Sequence, residues 1–357
     1  PAANPALCGA ASLSQPAPDL NGENAVERDL AVIDIGSNSV RLVHFRLEGR
    51  ALWPVFNEKT SAGLGQGVGE TGKLNPDGVE SALRTLRRFS ILLDAKGVNE
   101  RIVLATAAVR DAIDGPEFIK RARKEAGIEI GVLSGQDEAR LAAMGVIAGA
   151  PNAVGAAADL GGSSLEIIPV SRGAVGEGIT LPLGPLAAPD HVRSDRKAAK
   201  AWIDDRLKGA GGVLKSCGDT LYAVGGSWRA LAHLAIAEAD YPLRVIHQFQ
   251  LSRQAAKQIA DFAARLSVVS LTGIPGISAR RAAMLPYAGL LLKRLMKKGR
   301  FNRVVFSAFG VREGAVFDQF PEAMREVDPL LAGAEAVARP AVPSPGFGRA
   351  MTSWLEP

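Results

Sequence analysis

Two cysteines, Cys8 and Cys217, are all that this 357-residue sequence contains. That excludes a disulfide framework and a cysteine metal cluster, and it suits a reducing cytosol. No run of about 18 uninterrupted apolar residues occurs, so no membrane-spanning helix is predicted. Aromatic residues form only 5% of the chain, which argues against nucleic-acid readout by base stacking. Histidine is scarce as well: His44, His191, His233 and His247. None precedes an aspartate and no two share a metal-ligand spacing, which disfavours a histidine metal site or a His-Asp hydrolase dyad. A Gly-x-Ser-x-Gly elbow, a Walker A loop and a dinucleotide fingerprint are all missing. The glycine-rich stretch Gly63–Gly69 precedes no helix at the required spacing. Acidic residues are absent from Phe262 to Arg312, where ten Lys or Arg occur.

What is present points to a globular, two-domain protein. Hydrophobic residues make up 47% and charged residues 22%, and the length suffices for two real cores. The net charge of +5 suits a polyanionic partner; nucleic acid, polyphosphate and nucleotides all meet that description. Residues 1–28 are rich in Ala, Pro and Asn and lack both a basic and an apolar signal region. They read as a disordered lead-in, not a signal peptide. The absent initiator Met reads as processing or trimming.

From Ala31 the pattern alternates strands and helices. Strands are predicted at Ala31–Ile35, Val40–Leu47, Ala51–Phe56, Ile102–Ala105 and Ile128–Leu133. Asn75-Pro76 opens a helix that Gly97 closes. A second helix spans Glu117–Ala126, and Ser134 with Asp137 resembles a capping box for a third, ending near Gly149. The order then repeats. Strands at Val154–Leu160, Leu165–Val170, Glu177–Leu181, Leu221–Val224 and Arg303–Ser307 alternate with helices. Those helices are Ser194–Lys208 (with Ser194 as cap), Trp228–Ala239, Ser252–Arg265 and Ser278–Lys298. Leu330–Val337 reads as a short helix, followed by a proline-rich loop.

The repeat extends to residue identities. Set Ala31–Val43 over Ala156–Ile168. Asp34 then aligns with Asp159, Gly36 with Gly161 and Ser39 with Ser164, with apolar residues in register on both sides. A duplicated strand–Asp-x-Gly–strand unit implies two related domains facing each other across a cleft.

Each such loop can hold phosphate. Glycine admits close backbone approach, consecutive N–H groups form an anion nest, and Ser and Asn add donors. A strand-ending aspartate can hold Mg²⁺. Ordinary hairpin turns use the same residues, although they need not resemble each other. Val224-Gly225-Gly226-Ser227 is a third glycine turn, and it opens a helix whose N-terminus favours anions. Glu138, in the first turn of a helix where the repeats join, is a candidate carboxylate for activating water; helix capping is the competing account. Arg110, in a loop after a strand, can clamp a phosphate or make a surface ion pair. The basic segment can line a polyanion path, or complement a helix C-terminus.

These residues resemble a known family. Asp34-Ile-Gly-Ser37-Asn38-Ser39 with Arg41, and Ala105-Thr106 through Arg110, are similar to motifs of the exopolyphosphatase / guanosine pentaphosphate phosphohydrolase family. So are Ser134-Gly-Gln-Asp137-Glu138-Ala-Arg140, Asp159-Leu-Gly161-Gly162-Ser163-Ser164-Leu-Glu166, Gly225-Gly226-Ser227 and Gly310-Val-Arg312-Glu313-Gly314. The resemblance spans about Asp29 to Phe320. It implies an α/β fold of two actin-like (acetate and sugar kinase/Hsp70/actin, ribonuclease H-like) domains with an interdomain cleft. The implied bounds are 29–136 for domain I, completed by a helix at 311–326, and 137–310 for domain II. Residues 327–357 form a tail or the start of a helical extension. The implied reaction is Mg²⁺-dependent release of terminal orthophosphate from inorganic polyphosphate. pppGpp hydrolysis, or (p)ppGpp binding with weak catalysis, is the alternative. Glu138 would be the base and Arg110 the clamp. Asp34, Asp159 and Glu166 would sit at the metal. Ser37, Asn38, Ser39, Arg41, Gly161, Gly162, Ser163, Ser164, Gly225, Gly226 and Ser227 would bind phosphate. A cytoplasmic location and homodimer formation are further implications. Two departures from the family pattern stand out. Asp137 replaces the first glutamate of a pair, and Ser163 replaces a glycine, adding a Cβ near the phosphates.

Overall fold

The computed structural model describes residues 27–339 and 353–354. All but the last two residues of the expected disordered lead-in lie outside that range, as does the proline-rich end of the tail. The chain runs β1 (Arg28–Ile35), β2 (Ser39–Glu48), β3 (Ala51–Ser61), α1 (Val68–Thr71), α2 (Pro76–Ala95), β4 (Glu100–Ala105), α3 (Ala107–Asp111), α4 (Gly115–Ala126), β5 (Gly131–Val132) and α5 (Gly135–Gly149). It continues with β6 (Val154–Leu160), β7 (Leu165–Ser171), β8 (Ala174–Val175), β9 (Ile179–Leu181), α6 (Asp190–Ser194), α7 (Arg196–Arg206), α8 (Gly211–Lys215), β10 (Thr220–Val224) and α9 (Gly226–Glu238). The last elements are β11 (Phe249–Ser252), α10 (Arg253–Ala263), α11 (Val268–Thr272), α12 (Ala279–Lys298), β12 (Arg303–Phe306), α13 (Val311–Phe317), α14 (Glu322–Arg325) and α15 (Pro329–Ala338).

These elements build two sheets. The first has the order β3-β2-β1-β4-β5; the second has β11-β12-β10-β6-β7-β8, with β9 also on β7. β1 and β6 are central strands, each parallel to one neighbour and antiparallel to the other. Their nearly unbroken apolar runs follow from burial on both faces. The duplicated hairpins share one pairing register and one turn hydrogen bond. Asp34 pairs with Arg41 in one, and Asp159 with Glu166 in the other. Gly36 N–H donates to Ser39 O at 3.0 Å, and Gly161 N–H donates to Ser164 O at 3.0 Å.

α5 joins the sheets. Its middle, Leu141–Ala148, is buried on every side, as expected for a helix apolar all round. One apolar cluster unites Leu30, Val32 and Phe45 of the first sheet with Ala157, Ile168 and Val305 of the second, through Leu141 and Val146 of α5 and Val316 and Phe317 of α13. α5 and α13 touch through glycine. A Cβ added at Gly145 would lie 2.2 Å from Gly310 O, and one added at Gly314 would lie 1.8 Å from Leu141 O. α13 returns against α5 and β1.

Several sequence expectations need correction. The predicted strand Ile128–Leu133 shortens to Gly131–Val132, and Glu177–Leu181 shortens to Ile179–Leu181. Ser194 does not cap α7; it ends α6, and the Asp195 carboxylate accepts from Lys197 N and Ala198 N. The expected helix 311–326 is two pieces, α13 and α14, broken before Pro321, since proline disfavours a helical residue ahead of it. The loop 63–69 contains the start of α1, and α3 and β11 carried no periodic signal long enough to see. The Asn75 cap is as expected: its side chain accepts from Gly78 N at 2.9 Å.

Candidate active site

The two duplicated loops meet where the sheets face each other. Ser37 Oγ and Ser163 Oγ lie 3.3 Å apart, so the serine that departs from the family glycine touches the first loop. The third loop presses on the second hairpin. Gly225 has φ +104°, and a Cβ there would lie 2.4 Å from Leu160 O and 3.0 Å from Asp159 Oδ1. Only glycine fits this conformation and this approach. Gly225 is followed directly by α9, whose first N–H groups have no side-chain cap. Asn38, Ser39, Gly162, Ser164, Gly226 and Ser227 follow these turns by chain position.

Glu138 and Arg110 come together although 28 residues separate them. Arg110, in α3, donates to Leu133 O at 3.1 Å and to Glu138 Oε2 at 3.3 Å. Glu138 is 8% exposed, on the first turn of α5, whose cap is Ser134 accepting from Asp137 N. Burial, then the charge of Asp159, pushes its carboxyl up to about 7, against the pull of Arg110. Burial also raises Asp159 to about 6, opposed by Arg229 and reinforced by Asp34. Glu166 is raised well above the ordinary range by burial, then by Glu138 and Asp159. Both Glu166 carboxylate oxygens are buried with no well-formed hydrogen bond among the described residues; the Ser164 side chain offers only a weak one. Asp34 differs: Arg312 Nη1 donates to its Oδ2 at 3.1 Å.

Beside this acidic group stands a cationic one. Arg41 donates to Asn57 Oδ1 at 2.9 Å. Burial, then Arg312 and Arg229, lowers its pKa to about 10. Lys59 is lowered by burial, then by Arg281, Arg41, Arg280 and Arg312. The guanidinium of Arg281 lies against Gly226, with Nη2 3.1 Å from where a Cβ would be. Like charges gathered from β2, β3, α9, α12 and α13 raise each other's energy, and an anion relieves them.

Among the described residues, no three His, Cys, Asp or Glu side chains are close enough to hold a metal by themselves. A hard divalent cation nevertheless fits the buried Glu166 oxygens and Asp159, since Mg²⁺ commonly takes one or two carboxylates and fills its shell with water and phosphate oxygens.

Sequence reasoning gave Lys59, Arg229 and Gly184 no role, and placed Arg312 only in a motif. Lys59 stands beside Arg41 in the β2–β3 register. A register bulge at His44/Phe45 hides that pairing from simple alternation. Arg229 lies three residues beyond Gly226 on α9, the spacing of one helix face, which was a usable signal.

With this geometry in view, likeness to known proteins is informative. "Exopolyphosphatase 1" of Mycobacterium tuberculosis is 28% identical over 302 residues, covering 80% of this chain and 87% of that protein. Retrograde regulation protein 2 of Saccharomyces cerevisiae is 27% identical over 349 residues, covering 86% of this chain and 58% of that protein. The solved structure of the Aquifex aeolicus Ppx/GppA family member matches with TM-score 0.71 at 25% identity, over 82% of this chain and 98% of that one. An exopolyphosphatase structure from Cytophaga hutchinsonii matches with TM-score 0.74 at 23% identity, over 82% and 99% of the two chains. The fold is therefore the expected α/β arrangement of two actin-like lobes. No helix among the described residues is long and apolar enough to cross a membrane. The model of the Ppx/GppA phosphatase family matches residues 32–323, and with both hairpin loops and the Glu138–Arg110 pair inside that span, the chain belongs to this family.

Proposed function

We propose that this protein is an exopolyphosphatase, releasing terminal orthophosphate from inorganic polyphosphate by attack of a water that Glu138 activates. The observation that carries the reading is the buried Glu138, tied to Arg110 and set beside the buried Glu166 carboxylate and a cluster of like-charged cations. Glu138 in its ionised form takes the proton of the attacking water. Arg110 holds that carboxylate and faces the terminal phosphoryl group. The loops Ser37–Ser39, Gly161–Ser164 and Gly225–Ser227 offer backbone and hydroxyl donors to phosphate oxygens. Arg41 and the basic residues of α12 neutralise the following phosphates. Asp159 and Glu166 are the residues that would hold Mg²⁺, with Asp34 nearby; bound there, it would offset charge on the bridging and terminal oxygens.

The test compares Mg²⁺-dependent phosphate release from long-chain polyphosphate and from pppGpp, for wild type and Glu138→Gln. Preference for polyphosphate, lost in the variant, is the expected result. Preference for pppGpp moves the substrate to the alternative and keeps the site. No release from either substrate, with tight (p)ppGpp binding, makes the protein a regulator, a reading that the name of the yeast relative suggests. A cytoplasmic location and a homodimer belong to this proposal as well.

Two further results are expected at this site. Arg110→Ala removes a charge that favours ionised Glu138, so the pH midpoint of activity moves upward in a pH–rate profile. The apparent affinity for polyphosphate falls as salt rises from 0.05 to 0.5 M, because the cationic cluster is screened; a salt-independent KM would count against a polyanion path there.

A further inference from the structure

The second phosphate loop does not stand alone. The segment Leu183–Ala188 lies directly behind it. Gly184 N–H donates to Ser163 O at 3.0 Å, and Leu186 N–H donates to Gly162 O at 2.8 Å. The approach is close enough that a Cβ at Gly184 would lie 2.4 Å from Gly162 O. This segment contains little regular structure of its own. A turn bond from Ala187 N–H to Gly184 O and the burial of Leu183 and Ala188 hold it in part, and two side chains add to them. Arg193, in α6, donates through Nη1 to Pro185 O at 2.9 Å and to Ala188 O at 2.7 Å, while its Nη2 is paired with Asp190. Tyr287, in α12, donates from its hydroxyl to Leu183 O at 3.2 Å. The segment is pinned at both ends, and it supplies both backbone acceptors of the loop with donors.

We propose that Arg193 is a positioning residue for the second phosphate loop. It acts through Leu183–Ala188, fixing where the Ser163 and Ser164 N–H groups, which share peptide planes with the Gly162 and Ser163 carbonyls, point. The inference rests on the proposed phosphate-binding role of that loop for its effect on catalysis, but not for the bracing itself. Arg193 touches no reacting atom in this scheme. A guanidinium is suited to the task because its planar fork reaches two carbonyls and a carboxylate together.

The test has two arms, each with Arg193→Ala, Arg193→Lys, Tyr287→Phe and a control. The control is Arg196→Ala, whose side chain is 56% exposed and, among the described residues, pairs only with Asp261. In the first arm, amide hydrogen exchange is followed at Gly184 and Leu186. Faster exchange at both in Arg193→Ala, partial protection in Arg193→Lys and a wild-type pattern in the control are expected. In the second arm, steady-state kinetics on polyphosphate should show KM raised about tenfold in Arg193→Ala, the scale of one lost charge-assisted hydrogen bond. The turnover number should stay within about twofold of wild type, as for lost ground-state positioning. Tyr287→Phe should give the same signature, smaller. Unchanged exchange at Gly184 and Leu186 in Arg193→Ala overturns the bracing. Altered exchange with unchanged KM overturns the positioning role. If wild type releases no phosphate from polyphosphate, the proposed function fails, and the exchange arm alone decides whether Arg193 braces the loop. A variant that does not fold removes only itself: Arg193→Lys and Tyr287→Phe then carry the same outcomes.

Discussion

Glu138→Gln is expected to slow phosphate release by about 10²- to 10⁴-fold, the range for removing a general base. Glutamine keeps the size and leaves an oxygen for Arg110 Nη1, which lies 3.3 Å from Glu138 Oε2, so binding should survive while turnover is lost. The pH dependence follows from the same environment. Burial and Asp159 raise this carboxyl to about 7. A protonated carboxyl cannot accept a proton, so wild-type activity should fall as pH drops through about 7. The stability effect has a definite sign. A raised folded-state pKa means that the fold favours the neutral form. That contribution is complete below the ordinary value of 4.5, shrinks as pH rises towards about 7, and is gone above it. Glutamine mimics the neutral form at every pH. Glu138→Gln should therefore denature at higher temperature than wild type at pH 8, by a gain on the order of 2 kcal/mol, and match it near pH 4.5. Equal activity of variant and wild type would remove Glu138 from the mechanism. Lower stability of the variant at pH 8 would show that the buried charge is compensated in the native state.

Gly314→Ala should be the most damaging single-methyl change in the protein. Its Cβ would sit 1.8 Å from Leu141 O and 2.8 Å from Gly145 N, both helix backbone, which cannot rotate out of the way. Relief requires α13 to move off α5. These helices share one apolar cluster with both sheets, so the movement also disturbs the relation between the lobes. Overpacking typically costs about 1–3 kcal/mol, and a backbone clash this close belongs at or above the upper end. Thermal denaturation should show a drop of several degrees or more. Gly333→Ala is the comparison, since a Cβ there meets nothing within 4 Å and helix propensity favours alanine. Equal melting of Gly314→Ala and wild type would mean that the helices separate freely at this crossing.

Much of this architecture was legible in the sequence because period and punctuation act locally. Asn75-Pro76 announced α2, Ser134 announced α5, and the apolar runs of β1 and β6 announced strands. The duplicated Asp-x-Gly turns were legible too, and the hairpins place Asp34 and Asp159 at equivalent register positions. Elements whose form depends on neighbours were not legible. β5 keeps two residues of the six-residue strand expected at Ile128–Leu133, because only Leu104 and Ala105 of β4 pair with it. Ser194 and Asp195 both resemble caps, and the path of the chain out of α6 decides between them.

The candidate site divides in the same way. Fold class, family and the loops that carry glycine and hydroxyl donors can be read from the residues alone, since these are properties of short stretches of chain. The packing of the two sheets sets that Arg110 meets Glu138, that Arg312 pairs with Asp34, and that Glu166 is buried. It also decides that burial, then the charge of Arg281 from α12, lowers the pKa of Lys59 of β3. Charge energies depend on distance and burial, and both are set by packing two sheets against α5 and α13. Residues far apart in the chain acquire their perturbed chemistry only there.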